Sequence, residues 1–262
     1  MTRTDLIEIH YDLKFRTPFH MGSGLRVGLI DRTVVRDRDN NLYVPGSSLK
    51  GCVREHCERL ERLYTEEASS QASQHIVSPH DTEKALWLIG HPLSMVTRIF
   101  GSSYYPGHLH FEDARLAEDE KISQQEDEHE KPVLQTFLYT QARLDRPTRT
   151  AVPGALYSSE FGLREITFKG SVTGWLECIP IEELETETGK ITPTYSLLLL
   201  LAGLHMVERL GGNKSVGKGE CGLEISQVSI KNEKKEKEEW MGWLDNLSLL
   251  SYYALYAEEE IG

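Results

Sequence analysis

The sequence predicts an α+β fold, and three observations carry that prediction. Apolar residues alternate with period two near the start. They recur at helical spacing in two later segments. Strand-like runs then stand between and after those segments.

Residues 6–15, LIEIHYDLKF, put Ile7, Ile9, Tyr11, Leu13 and Phe15 on one face, which predicts a half-buried strand. TPFHMGSG breaks it with a proline and two glycines. Residues 29–37 read as a short extended segment and 38–41 as a turn. A first helix follows VPGSSLKG, with Leu49, Cys52, Val53, Cys57, Leu60 and Leu63 at helical spacing and Ser47 or Ser48 as N-cap. Residues 65–83 are polar and predict a loop. Residues 83–101 are apolar and helix-like, interrupted by Gly90 and Pro92. Residues 107–116 read as a strand, 117–131 as an acidic loop and 135–160 as a protruding hairpin. Strand character returns over 163–181. A second helix is expected over 192–212, with Pro193 near its start and Gly211 as C-cap. A glycine loop and a strand cover 213–230, a charged linker 231–239 and an amphipathic helix 240–257. The order strand, helix, strand, strands, helix, strand is that of a ferredoxin-like core carrying insertions.

The chain has 262 residues and a net charge of −12, which argues against a simple nucleic-acid binder. The acidity concentrates in 65–130 and 221–262, so a neutral-to-basic groove elsewhere is compatible with it. No charge-free apolar stretch reaches the ~20 residues of a membrane span. The first residues lack the basic start and apolar centre of a signal peptide. A cytoplasmic protein without a membrane partner is expected. Cys52, Cys57, Cys178 and Cys221 form no CxxC pair and read as reduced core cysteines. His108 and His110 share a strand face without a third ligand nearby and read as structural.

Three stretches carry chemistry. In PGSSLKG (45–51) a flexible turn feeds a helix start, where free N–H groups, two serines and Lys50 suit a phosphate, although the nucleotide-binding P-loop spacing is absent. GGNKSVGKGECG (211–222) packs five glycines and two lysines into twelve residues, so its backbone can approach a ligand closely. In FHMGSGLRVGLIDRTVVRD (19–37) Asp31 stands among Arg26, Arg32 and Arg36, a setting that by itself suggests ion pairing.

Taken in order, FHMGSG, VPGSSLKG, RIFGSS…GHLHFEDARL, RLDRPTRTAVPGALYSSE and LGGNKSVGKGECGLEI resemble the RAMP superfamily, and more closely the repeating backbone subunits of type III CRISPR effector complexes. The resemblance spans roughly 5–230. It implies one RAMP domain over 1–230, with insertions near 65–95 and 117–160, followed by the linker and terminal helix of 231–262. It also implies a modified RNA-recognition-type, ferredoxin-like fold with a thumb-like hairpin. The implied partners are CRISPR RNA, target RNA and other type III effector subunits. Guide contacts carry over to His20, Gly22 and Gly24; to Gly46, Ser47, Ser48, Lys50 and Arg54; and to Gly211, Gly212, Lys214 and Lys218. Arg146 and Thr148 in the thumb would touch the duplex, with Pro147 and Pro153 stiffening it. Asp31 stands where catalytic members carry the aspartate that cuts the target, and it would bind or orient a divalent metal, magnesium or manganese, or assist deprotonation. Arg26 or Arg32 would stabilise the phosphorane. The resemblance leaves open a structural subunit without chemistry, and a guide-processing nuclease using His20 or His56. A small-molecule phosphate enzyme is a remoter alternative.

Overall fold

The computed structural model describes residues 4–67, 78–80, 93–118, 135–177, 179–184 and 193–253. The expected acidic loop beyond Glu118, most of the 65–83 loop, the apolar stretch before Leu93, Cys178 and the end of the terminal helix lie outside these residues.

Strand β1 (Thr4–Phe15) crosses the centre of the main sheet, where its odd-numbered residues from Ile7 to Phe15 are at most 1% exposed. It pairs antiparallel with β7 (Thr167–Glu177) on one side and β8 (Cys221–Ile230) on the other. Beyond β7 lie β3 (Leu109–Phe111) and β4 (Ala114–Leu116), two halves of one expected strand interrupted at Glu112 and Asp113. The short β2 (Tyr43–Val44) closes that edge against β4. Among the core elements the spatial order is β4, β7, β1, β8, with α1 (Gly46–Glu67) and α3 (Tyr195–His205) as the two crossovers. This is the ferredoxin-like arrangement, all antiparallel, with helices on one face.

Pairing sets where glycine is needed. Gly170 lies opposite Tyr11, and a Cβ there would run into the Tyr11 hydroxyl. On the helical layer, α1 buries Leu49, Val53, Cys57 and Leu60 toward the sheet and α3. Leu63, expected on that stripe, is 52% exposed, because the stripe rotates outward near the helix end. Helix α3 is mostly apolar and is buried from Tyr195 to Leu204, with Gly203 against the Cys57 thiol and His205 exposed at its end. A third helix, α2 (Met95–Phe100), is buried and capped by Ser94, whose side chain accepts the Thr97 N–H at 3.1 Å.

Four local expectations are corrected. The first helix begins at Gly46, so Ser47 and Ser48 lie inside its first turn; the Asp113 carboxylate accepts the Gly46 N–H at 2.8 Å instead. Helix α3 ends at His205 with Met206 as C-cap, and Gly211, at φ +91°, serves a later turn. The charged stretch after 231 is not a free linker: β9 (Glu233–Lys235) pairs with β8, and α4 (Lys237–Leu244) follows. The terminal helix is broken into α4 and a 3₁₀ segment (Leu247–Tyr252), and Trp240, Trp243, Leu250 and Tyr253 join the main core.

The expected protruding hairpin is β5 (Thr136–Leu144) with β6 (Ala151–Gly162), a two-stranded sheet apart from the main one. Its outer part is exposed and its root is not. Phe161 is 1% exposed and stacks with Phe137, while Phe19 bridges to Gly162, where a Cβ would strike the Phe19 ring.

Candidate nucleic-acid interface

Three distant segments converge on one groove of about 380 Å³. The first is the turn after β1. His20 is 5% exposed, and its Nδ1 donates to the Glu160 carbonyl at 2.8 Å. That bond leaves Nε2 on the side of Gly22, where a Cβ would stand 3.0 Å from it. The second segment is the start of α1, which contributes Ser48, Gly51, Cys52 and Glu55. The third is the turn after α3. The Gly212 N–H donates to the His20 carbonyl at 2.8 Å, and Gly211, with positive φ, passes so close that a Cβ would sit 2.7 Å from that oxygen. Lys214 brings the cation to the rim. A bare backbone and a left-handed turn are what let this third segment reach the first.

Of the residues assigned to guide contact, the groove gathers His20, Gly22, Ser48, Gly211, Gly212 and Lys214. Others stand apart from it. Gly46 is buried, its N–H is taken by Asp113, and a Cβ would run into the Phe111 carbonyl, so its work is packing rather than ligand contact. Ser47 is exposed outside the groove lining. Lys50 and Arg54 lie four residues apart on the neighbouring stripe of α1. Burial, and then the nearby Arg54 charge, lower the Lys50 pKa. Arg54 Nε donates to Glu58 at 2.9 Å, and Glu58 also holds His80 at 3.0 Å. Gly24 lies exposed on the 22–33 loop at φ +75°. Lys218 leans over the hairpin root, its ammonium 5.5 Å from the Phe161 ring centroid and 5.9 Å from Tyr139. Arg146 and Thr148 occupy the exposed hairpin tip, where the Thr148 hydroxyl donates to Asp145 at 2.6 Å. Pro153 lies in a bulge between the pairs Leu144↔Ala151 and Ala142↔Leu156.

Asp31 is fixed from two sides. Its Oδ2 accepts the Ser158 N–H at 2.9 Å, and its own N–H donates to the Ser158 carbonyl at 2.9 Å. Its Oδ1 meets Arg26 Nη2 at 2.6 Å, and the side chain is 25% exposed. The neighbouring Arg36 is committed to Glu160 at 2.8 Å and to Thr136 at 3.0 Å. Burial pushes the Glu160 carboxyl up, but hydrogen bonds from Arg36, Val34 and Thr136 outweigh it and hold the pKa below the ordinary carboxylate value. Residues 158–160 of β6 therefore tie the Asp31 loop, the Val34–Arg36 segment and His20 together.

Sequence reasoning did not single out Met21, Cys52, Glu55 and Leu210 as groove residues, and it named Pro45 and Gly51 only as parts of the PGSSLKG turn. Gly51 had a readable signal, because a glycine inside a helical pattern weakens the helix unless something needs the space. His56, near the groove, is biased toward its neutral form, first by burial and then by Arg59. Among the described residues no three His, Cys, Asp or Glu side chains gather as a metal site, and no helix is long and apolar enough to cross a membrane.

The family model for the RAMP superfamily matches residues 12–222, a span that runs from β1 through both groove-forming turns into β8. The chain belongs to the RAMP superfamily. A curated relative, the CRISPR system Cms endoribonuclease Csm3 of Methanocaldococcus jannaschii, is 30% identical over 98 residues, which cover 33% of this chain and 38% of that protein. The match thus spans well under half the length of that relative. Among solved structures, a chain of the type III-B Cmr-beta complex bound to cognate target RNA aligns with 83% of this RAMP chain and 96% of its own length, at 13% identity and a TM-score of 0.49.

Proposed function

We propose that this chain is a guide-binding backbone subunit of a type III CRISPR effector complex, acting inside the cell, that cuts complementary target RNA at regular intervals. The observation that carries the reading is the convergence of the His20–Gly22 turn, the N-terminal part of α1 and the Gly211–Lys214 turn on one groove. Such a groove offers close backbone approach, the Ser48 hydroxyl and the Lys214 cation, which suits a sugar–phosphate strand better than base edges. Superfamily membership and the Csm3 relative support the same substrate class.

In this reading Asp31 is the cleaving carboxylate. Ser158 orients it through one oxygen and leaves the other facing the exposed Arg26. The donor set fits a divalent ion only in part. Asp31 offers one carboxylate, so most remaining ligands would be phosphate oxygens and water, as is usual for magnesium at nucleic-acid sites. Such an ion, magnesium or manganese, would neutralise charge developing on the phosphate. The hairpin, clamped at its root and free at its tip, would hold the target nucleotide out of the duplex so that its 2′-oxygen aligns with the phosphorus.

The test is a complex assembled with guide RNA and given complementary RNA and magnesium. Asp31→Ala should abolish cutting while guide binding, weakened by rising salt, stays as in the wild type. Loss of guide binding on Gly211→Val with an intact fold supports the groove, and unchanged binding refutes it.

A second reading, a structural subunit without chemistry, has one observation in its favour: both Asp31 oxygens are engaged. Undiminished cutting by Asp31→Ala would favour it.

A further inference from the structure

We propose that Arg26 is a second catalytic group at the Asp31 site, its guanidinium taking the scissile phosphate of the target strand. This rests on the reading of Asp31 as the cleaving carboxylate.

The geometry begins with a tight turn. Val27 and Ile30 exchange backbone hydrogen bonds of 3.1 and 2.9 Å around Gly28 and Leu29, with Gly28 at φ +55°. In such a two-residue hairpin the next residues outward, Arg26 and Asp31, stand across from each other. Their side chains meet at 2.6 Å. The two ends of that contact are unlike. Asp31 is held on its far side by the Ser158 N–H and through its own N–H, so its position belongs to the scaffold. Arg26 is 71% exposed, and the Asp31 contact is the ion pair the structure gives it. An ion pair this open adds little to stability, so the arginine can leave it without loosening the fold.

Charge supplies the reason for it to leave. A phosphate arriving beside Asp31 brings like charge against like. A guanidinium carries donors along more than one edge, so Arg26 can serve carboxylate and phosphate in turn. Its neighbours are otherwise committed: Arg36 is bound to Glu160 and Thr136 at the hairpin root. Arg32 is adjacent to Asp31 in the chain, but the Asp31 ion pair is made by Arg26.

The target 2′-oxygen attacks phosphorus, its proton passing to solvent. The bond from phosphorus to the 5′-oxygen breaks, and that oxygen takes a proton from solvent. The products are a 2′,3′-cyclic phosphate and a 5′-hydroxyl. Arg26 neutralises a non-bridging oxygen as charge gathers there, and its departure uncovers Asp31 Oδ1.

The test is single-turnover cleavage by the assembled complex with saturating magnesium. Arg26→Ala should slow cutting about 100-fold or more while target affinity changes less than about threefold, within the range of a rim charge. Arg26→Lys should recover part of the rate, and free guanidinium should restore Arg26→Ala but not Asp31→Ala, a rescue that a purely structural arginine would not show. If Arg26→Ala cuts at the wild-type rate while Asp31→Ala is dead, the proposal is overturned and the Asp31 reading stands. Lost target affinity that accounts for the whole rate loss, without guanidinium rescue, also overturns it. If Asp31→Ala cuts normally, the reading beneath it fails instead.

Discussion

Gly46 and Gly51 open the same helix and are glycine for opposite reasons. At Gly46 the helix start lies against the β3 backbone, and any Cβ would run into the Phe111 carbonyl. At Gly51 nothing lies within 4 Å of where a Cβ would stand, yet the residue lines the groove. A glycine inside a helix costs roughly 0.5–1 kcal/mol relative to alanine, and among the described residues no packing offsets that at Gly51. Gly51→Ala should therefore stabilise the chain by about that much in urea denaturation and weaken guide-RNA binding in a filter assay. Tighter binding by the alanine variant would show that no strand approaches this surface. The GSSLKG spacing marks both glycines in the sequence, but only the neighbours in space separate their roles.

Among the elements, the link between α1 and α2 carries a titratable group. Glu61 accepts the Met95 N–H at 2.6 Å and the Val96 N–H at 3.4 Å, closing the open end of α2. Burial lifts its carboxyl to about 7, and the two N–H groups only partly offset this. A carboxyl raised in the folded state binds extra protons there. Its stabilisation is complete below the unfolded value and is lost as pH rises through about 7. Between about pH 5 and pH 8 the wild type should lose on the order of 3 kcal/mol through this group. Glu61→Gln keeps an acceptor without a titration, so denaturation across that range should show a flatter profile; an unchanged slope would assign the pH dependence elsewhere. The elements themselves differ in how far they could be read. Strand β1 and helix α3 were legible because each buries a continuous pattern, one of period two and one apolar all round. The hairpin was legible as a protrusion, but its root was not, because Asp31, Glu160 and His20 meet there across more than a hundred residues.

Over the whole molecule, the segment after β8 belongs to the core. Trp240 is 3% exposed, Trp243 7% and Tyr253 2%, and β9 extends the sheet. Charge concealed this, since 231–239 is almost entirely lysine and glutamate, as a solvated linker would be. In the fold Lys235 pairs with Glu239, and Lys231 and Lys237 reach the sheet, at Asp5 and at Glu224. Trp240→Ala should cost about 3–5 kcal/mol, the usual range for a buried aromatic, measured by thermal or chemical unfolding. A loss under about 1 kcal/mol, the scale of a surface change, would mean that the tail only rests on the surface.

The sequence by itself determined the α+β class, the two helical crossovers, the hairpin and the two glycine turns, because each is written in local periodicity or in backbone-permissive residues at fixed spacing; the superfamily was legible through the resemblance of its ordered motifs. Only the tertiary structure decided that the turns form one groove, that Lys50, Arg54 and Lys218 lie outside its lining, and that Asp31 is shared between Ser158 and Arg26. Those outcomes depend on sheet order and hairpin register. Both are set by long-range pairing, which no window of residues contains.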